Sequence, residues 1–204
     1  MGISGASGAI YGVRLLAVLR DLGIESHLVM SRAAEITIAY ETEMKSAAVK
    51  ALADIVYPAA DLAAPISSGS FRTMGMVVAP CSVRSMAEIA TGVTSSLLTR
   101  AADVTLKERR RLVLMLRETP LHSGHLRNML ALSDMGAIIA PPVPAFYARP
   151  QTIEEMVDHS IGRVLDLFGI DSGRVRRWGA DDSPADIRAA ASPTPALPRK
   201  GGGI

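Results

Sequence analysis

A chain of 204 residues that is 49 % apolar can bury one well-packed α/β domain and is not a disordered polypeptide. Its 22 basic and 20 acidic residues leave a formal charge of +2, and aromatic residues make up only 4 %, so neither nucleic acid nor a membrane surface is the expected partner. No apolar run is long enough to span a bilayer, no secretion signal opens the chain, and the single cysteine, Cys81, cannot form an internal disulfide, which together predict a cytoplasmic protein.

The chain opens MGISGASG, three glycines and two serines where a strand gives way to a helix. Only residues 1–3 are available for that strand, which is short. Glycine lets backbone approach a ligand closely, and the N–H groups that open the next helix favour an anion, so this turn reads as a phosphate or nucleotide site. Ile10, Val13, Leu16, Leu19 and Leu22, widened by Leu15 and Val18, give the helix its apolar stripe, and Gly23 closes it. A second strand covers residues 27–30. Helices are predicted over residues 32–40 and 44–56, followed by an irregular connection bracketed by Pro58 and Pro65. SSGSF at residues 67–71 is turn-like.

Residues 76–79 form a wholly apolar run, read as a buried parallel strand that stops at Pro80; residues 112–116 and 137–140 are two more such runs. Further helices are predicted over residues 85–90, 95–102 and 122–132. A last amphipathic helix spans residues 152–168, with Ile153, Met156, Val157, Ile161, Val164, Leu165 and Phe168 on one face. From about residue 180 the composition turns rich in Ala, Pro and Gly and ends PTPALPRKGGGI, which predicts a disordered tail after one domain over residues 1–179.

Apolar strands alternating with helices imply a parallel sheet covered on both faces. Ligands of such folds bind beyond the carboxyl ends of the strands, so chemistry is expected at residues 5–8, at Ser31, and at residues 80–85 and 117–120.

Six separated motifs then resemble the UbiX-type flavin prenyltransferases: GISGASGAIYG at residues 2–12, SSGSF at 67–71, APCS at 79–82, TRAADVTLKERR at 99–110, RETPLH at 117–122 and PPVPAFYARPQ at 141–151. The resemblance covers roughly residues 1–179. It implies a three-layer, doubly wound α/β subunit, flavodoxin-like or Rossmann-like, assembled as a homododecamer. It implies metal-independent transfer of a dimethylallyl group from dimethylallyl phosphate, or in some members the diphosphate, to reduced FMN. The product, prenylated FMN, serves UbiD-type decarboxylases. The family's first strand extends further ahead of the GISG turn, so the resemblance implies a native start upstream of Met1. Arg111 stands where the family usually has proline, and the tail has no counterpart.

Residue by residue, the resemblance implies FMN contacts from Gly5, Ala6, Ser7, Ser31, Ser82, Val83, Arg84, Ser85 and Arg117. Ser7 and Ser31 also suit helix N-caps, and a hydroxyl can fill both roles. Arg84 has a plain alternative as an exposed side chain. Glu118 matches the acid beside the leaving phosphate, where a carboxylic acid of raised pKa would supply a proton; the alternative is a surface pair with Arg117. Glu41 matches a second acid, and alone it reads as a solvated helix residue. Lys107, Tyr147 and Arg163 match residues that hold the substrate phosphate, with Tyr147 fixed in a proline-bracketed loop. Trp178 either covers the site or anchors the last segment. Cys81 reads as a small buried apolar group rather than a nucleophile. Two other functions stay open: an FMN-dependent cysteine decarboxylase, disfavoured because APCSVRSM replaces its PASANT-like segment, and a flavin carrier, disfavoured because carrying FMN needs no second phosphate site.

Overall fold

A computed structural model describes residues 1–179, so the predicted tail lies outside the described residues. The elements in chain order are β1 (Gly2–Ile3), α1 (Ala9–Asp21), β2 (His27–Met30), α2 (Arg32–Glu41), α3 (Ser46–Lys50), β3 (Ile55–Tyr57), β4 (Gly75–Cys81), α4 (Val83–Thr91), α5 (Leu97–Lys107), β5 (Arg111–Leu116), α6 (Ser123–Asp134), β6 (Ile138–Ile139) and α7 (Ile153–Asp166). The six strands form one parallel sheet in the order β3-β2-β1-β4-β5-β6. This is the doubly wound order whose direction reverses between β1 and β4, and a crevice for ligands opens beyond the strand ends at such a point.

The central strands β4 and β5, apolar but for Arg111, each feed two cores. Val77 and Ala79 of β4, with Val113 and Met115 of β5, pack under α1 and α7. Met76 and Val78, with Leu112, Leu114 and Leu116, pack under α4, α5 and α6. A third cluster seats α1 and α2 on Ile3, Leu28 and Met30. Short as it is, β1 pairs on both sides: Gly2 with Val29 and Val78, Ile3 with Met30. As the sequence predicts, Gly23 ends α1: its N–H bonds the Arg20 carbonyl and that of Ile24 bonds Leu19.

Several predicted boundaries move, α5 running on to Lys107 among them, and two of the changes alter the sheet. The helix expected over residues 44–56 is only α3, after which the chain turns and β3 joins the sheet edge. Asp54 accepts from the Ser26 N–H, and the Ile55 N–H bonds the Ser26 carbonyl, so β-branched Ile55 and Val56 serve a strand rather than a helix face. The strand expected to stop at Pro80 continues to Cys81 with a register shift after Val78. That shift brings Cys81 to the same face as Met76 and Val78. Pro80 lacks an N–H for the ladder, but its carbonyl is free to accept, and a serine uses it.

Among the described residues no helix is long and apolar enough to cross a membrane. A cavity of about 340 Å³ lies at the amino end of the sheet, lined by Met1, His27, Gly75, Leu165 and Phe168 among others. It faces away from the strand ends where the predicted FMN contacts gather.

Candidate active site

At the switch point Ser4, buried directly after β1, ties the two central loops together. Its hydroxyl donates to the Pro80 carbonyl at 2.8 Å and accepts from the Ser82 N–H at 2.7 Å, while its own N–H bonds Pro80 at 3.2 Å. The loop after β1 is thereby fixed against the loop that starts α4. Sequence reasoning missed Ser4; the available signal was a hydroxyl in the first position after the strand. Ser82 caps α4 by accepting from the Ser85 N–H at 3.2 Å, and its hydroxyl donates to Ser85 Oγ. Ser31 likewise caps α2, accepting from the Ala34 N–H at 3.1 Å. Val83 opens α4 beside these hydroxyls. Arg84, with its side chain 84 % exposed, reaches along its own helix to Glu88 at 2.9 Å and does not enter the crevice.

The start of α1 departs from expectation. Its N-cap is Gly8, at φ 93°, a left-handed conformation that suits glycine, and not Ser7. The N–H groups of Gly8 and Ala9 both donate to Glu41 Oε2, at 2.8 and 2.9 Å, and the Ser7 hydroxyl also bonds this carboxylate. A carboxylate of the protein's own, supplied from the end of α2, thus lies at this helix start. Partial burial pushes the Glu41 pKa up. The Ser7 bond, the two backbone donors and the charge of Arg117 outweigh it and hold the carboxyl below its ordinary range. Gly5 packs on the first turn of α2, where a Cβ would stand 2.3 Å from that of Ala33, so the loop has no room for a side chain there. Ala6 beside it is buried.

Arg117 and Glu118 follow β5 directly, and the Arg117 N–H continues the ladder to the Cys81 carbonyl at 3.0 Å. The Arg117 side chain is exposed and its charge acts on Glu41. Glu118 is half-buried and accepts from the Thr119 N–H at 3.0 Å; no ion pair between Glu118 and Arg117 occurs. Burial pushes the Cys81 thiol up to about 12, so it stays protonated and packs as an apolar group. Ser7, Glu41, Arg117 and the Ser82–Ser85 turn thus share the crevice ends of β1, β4 and β5.

Tyr147 and Arg163 lie elsewhere. They line a cavity of about 420 Å³ beside the β6 edge, together with Met115, Pro141, Val143 and His159. Tyr147 occupies a short 3-10 turn, Phe146–Ala148, with its ring edge-on to His159 and to Trp178, at centroid distances of 5.6 and 5.3 Å. Arg163 pairs with Asp166 at 2.6 Å, leaving much of its guanidinium exposed. Lys107 is further still. It ends α5, four residues before β5 begins, and so sits at the amino end of the sheet, paired with Glu108 and packed beside Gly69 of the SSGSF turn. One subunit therefore places the expected contacts in three groups.

The Flavoprotein family model matches residues 1–165. The flavin prenyltransferase UbiX of Escherichia coli K12 is 59 % identical over 171 residues, 83 % of this chain and 90 % of the relative. A crystal structure of AnUbiX (PadA1) in complex with FMN and dimethylallyl pyrophosphate is 53 % identical and superposes with a TM-score of 0.87, covering 89 % of this chain and 96 % of that one. A dodecameric FMN-dependent UbiX-like decarboxylase from Escherichia coli O157:H7 is also 53 % identical, with a TM-score of 0.85 over 87 % of this chain and 96 % of that one.

Proposed function

The chain belongs to the UbiX-type flavin prenyltransferases of the Flavoprotein family, and from that premise we infer how its own residues carry the reaction. The enzyme prenylates FMN. The carrying observation is that a neighbour of the same fold, at 53 % identity, holds FMN and a dimethylallyl ester together. The nitrogen of the reduced flavin's central ring attacks the allylic carbon as its bond to phosphate oxygen breaks. The nitrogen gives up its own proton, the remaining double bond takes one, and the tertiary carbon this leaves electron-poor is captured by the neighbouring benzenoid carbon, which loses its proton and closes the fourth ring. Phosphate leaves, and no metal is needed where protein cations and an acid meet its charge.

Reduced FMN as substrate fits the donor set at the switch point. Ser7, Ser31, Ser82 and Ser85 offer hydroxyls there, Gly5, Ala6 and Val83 shape the walls, and Arg117 adds a cation. The helix that receives the flavin phosphate is α4, because Glu41 already occupies the start of α1. Arg84 lends only its backbone to that site. Glu41 holds the Ser7 hydroxyl toward the flavin, and Glu118 delivers a proton to the departing phosphate. Lys107, Tyr147 and Arg163 grip the prenyl phosphate.

These three groups are separate in one chain, so we infer that neighbouring subunits bring them together. A neighbour described as dodecameric supports a closed assembly of this kind. We further place the enzyme in the cytoplasm, where a lone thiol stays reduced, and assign its product to UbiD-type decarboxylases.

The test is anaerobic incubation with reduced FMN and either dimethylallyl phosphate or its diphosphate, followed by mass analysis of the flavin. A flavin carrying one added five-carbon unit is expected. Unaltered flavin with both donors would overturn the reading, and tight FMN binding without product would favour a carrier.

A further inference from the structure

Five polar or charged side chains are buried among the described residues: Ser4, Ser26, Thr99, Thr105 and His159. Four of them have local work. Ser4 joins two loops, Ser26 bonds Asp54, Thr99 completes the capping box of α5, and Thr105 bonds the Ala101 carbonyl one turn back. His159, only 6 % exposed on α7, is different, because its ring lies against a residue of the proposed substrate cavity.

His159 Nε2 is 3.3 Å from the Arg176 carbonyl oxygen and 3.4 Å from the Tyr147 hydroxyl. A carbonyl can only accept, so Nε2 is assigned the hydrogen. The Tyr147 oxygen shares that N–H as an acceptor, which leaves the tyrosine's own hydrogen for another acceptor. The ring cannot turn away easily, since His159 and Trp178 each meet it edge-on at 83° and 81°. The cavity that Tyr147 lines also presents Arg163.

We propose that His159 is a positioning residue that fixes Tyr147 as a hydrogen-bond donor to the phosphate of the prenyl substrate. This rests on the reading above that Tyr147 and Arg163 grip that phosphate. A hydroxyl that could rotate freely would donate in either direction. One that already accepts from a buried N–H is held in the donating sense, at no further ordering cost when the phosphate arrives.

Steady-state prenyl transfer by the intact protein tests it. His159→Leu and His159→Met remove the donor in two different shapes, so a failure of one to fold leaves the other. Either should raise the KM for dimethylallyl phosphate about fivefold to tenfold. The kcat and the affinity for FMN should stay within about twofold of the parent, since the flavin site is at the switch point. His159→Gln, which keeps an N–H donor, should restore most of the loss. In a Tyr147→Phe background, His159→Leu should add nothing. Nitrogen NMR of histidine-labelled parent protein should show the His159 Nε2 protonated, a readout that needs no variant to fold.

A normal KM in His159→Leu, a loss that adds fully to that of Tyr147→Phe, a parallel fall in FMN affinity or an unprotonated Nε2 would each overturn the proposal. Tyr147→Phe separates the two claims. If it raises KM while the His159 variants do not, only the positioning role falls. If it leaves KM unchanged, the reading of Tyr147 as a phosphate ligand falls with it.

Discussion

Glu118 stands two residues beyond β5, where the chain leaves the sheet for α6, and its carboxyl has only the Thr119 N–H as a protein donor within the described hydrogen bonds. It is tied to no basic side chain, so it can meet a phosphate oxygen. Glu118→Gln keeps the shape and removes the carboxyl group. Prenyl transfer should fall about a hundredfold or more, with FMN affinity little changed, as measured by product formation and by flavin titration. An unchanged rate removes the acid role. Ser4 acts differently, through the backbone. Ser4→Ala strips a partner from both the Pro80 carbonyl and the Ser82 N–H, and should cost about 1–3 kcal/mol in urea unfolding. It should also weaken FMN binding, because the α4 turn is no longer fixed against the loop after β1. At this scale the sequence was informative about residue types and silent about partners. Glu41 and Gly8 are 33 residues apart, so nothing local announced that a carboxylate from α2 would occupy the start of α1.

Apolar packing joins most elements, and a clear polar tie among the described residues is Asp158. This α7 carboxylate takes two bonds from Arg14 of α1, at 2.9 and 2.7 Å, and one from Arg174 at 2.9 Å, which fastens α1, α7 and the segment after it. Partial burial raises the Asp158 pKa, but the bonds and charge of Arg14, then those of Arg174, outweigh it and hold the carboxyl below its usual range. The unfolded chain therefore binds this proton more readily than the folded one. The stabilisation is complete above the ordinary aspartate range, about pH 4, and is lost as pH falls from there through the lower folded value. Asp158→Asn should cost about 1–2 kcal/mol at neutral pH and flatten the acid limb of a urea-midpoint profile below about pH 4. An unaltered acid limb would show that the tie is not coupled to folding. Elements with a single apolar period, such as β5 and α1, were legible in the sequence. The edge strand β3 was not, because Val49, Leu52 and Val56 recur at helical spacing, and only the bonds of Ser26 with Asp54 and Ile55 decide against a longer helix. Strand β4 was cut short at Pro80 for a related reason: a proline breaks a ladder unless the register shifts around it, and a single sequence carries no sign of that shift.

For the whole molecule, chain order already separates the charged groups. Lys107 precedes β5 and Arg117 follows it, so the length of a buried strand lies between them. That separation was present in the sequence, but a motif match names residues without saying which subunit supplies them. If the prenyl phosphate is gripped by all three groups, activity belongs to the assembly and a lone subunit is inert. The surface offers apolar groups that such an assembly would cover. Leu126 and Leu130 of α6, one turn apart, are 52 % and 63 % exposed, and Val143, Phe146 and Ile153, elsewhere on the chain, are exposed too. Apolar groups spaced i, i+4 on a helix form a stripe with no partner inside the subunit. Leu130→Glu places a charge on that stripe, where burial in an interface is costly, while the subunit's own core is untouched. Light scattering should then find particles smaller than the parent assembly, with an unchanged far-ultraviolet spectrum and prenyl transfer reduced at least about tenfold. Monomers with full activity would show that one chain holds a complete site, and would return Lys107, Tyr147 and Arg163 to roles within their own subunit.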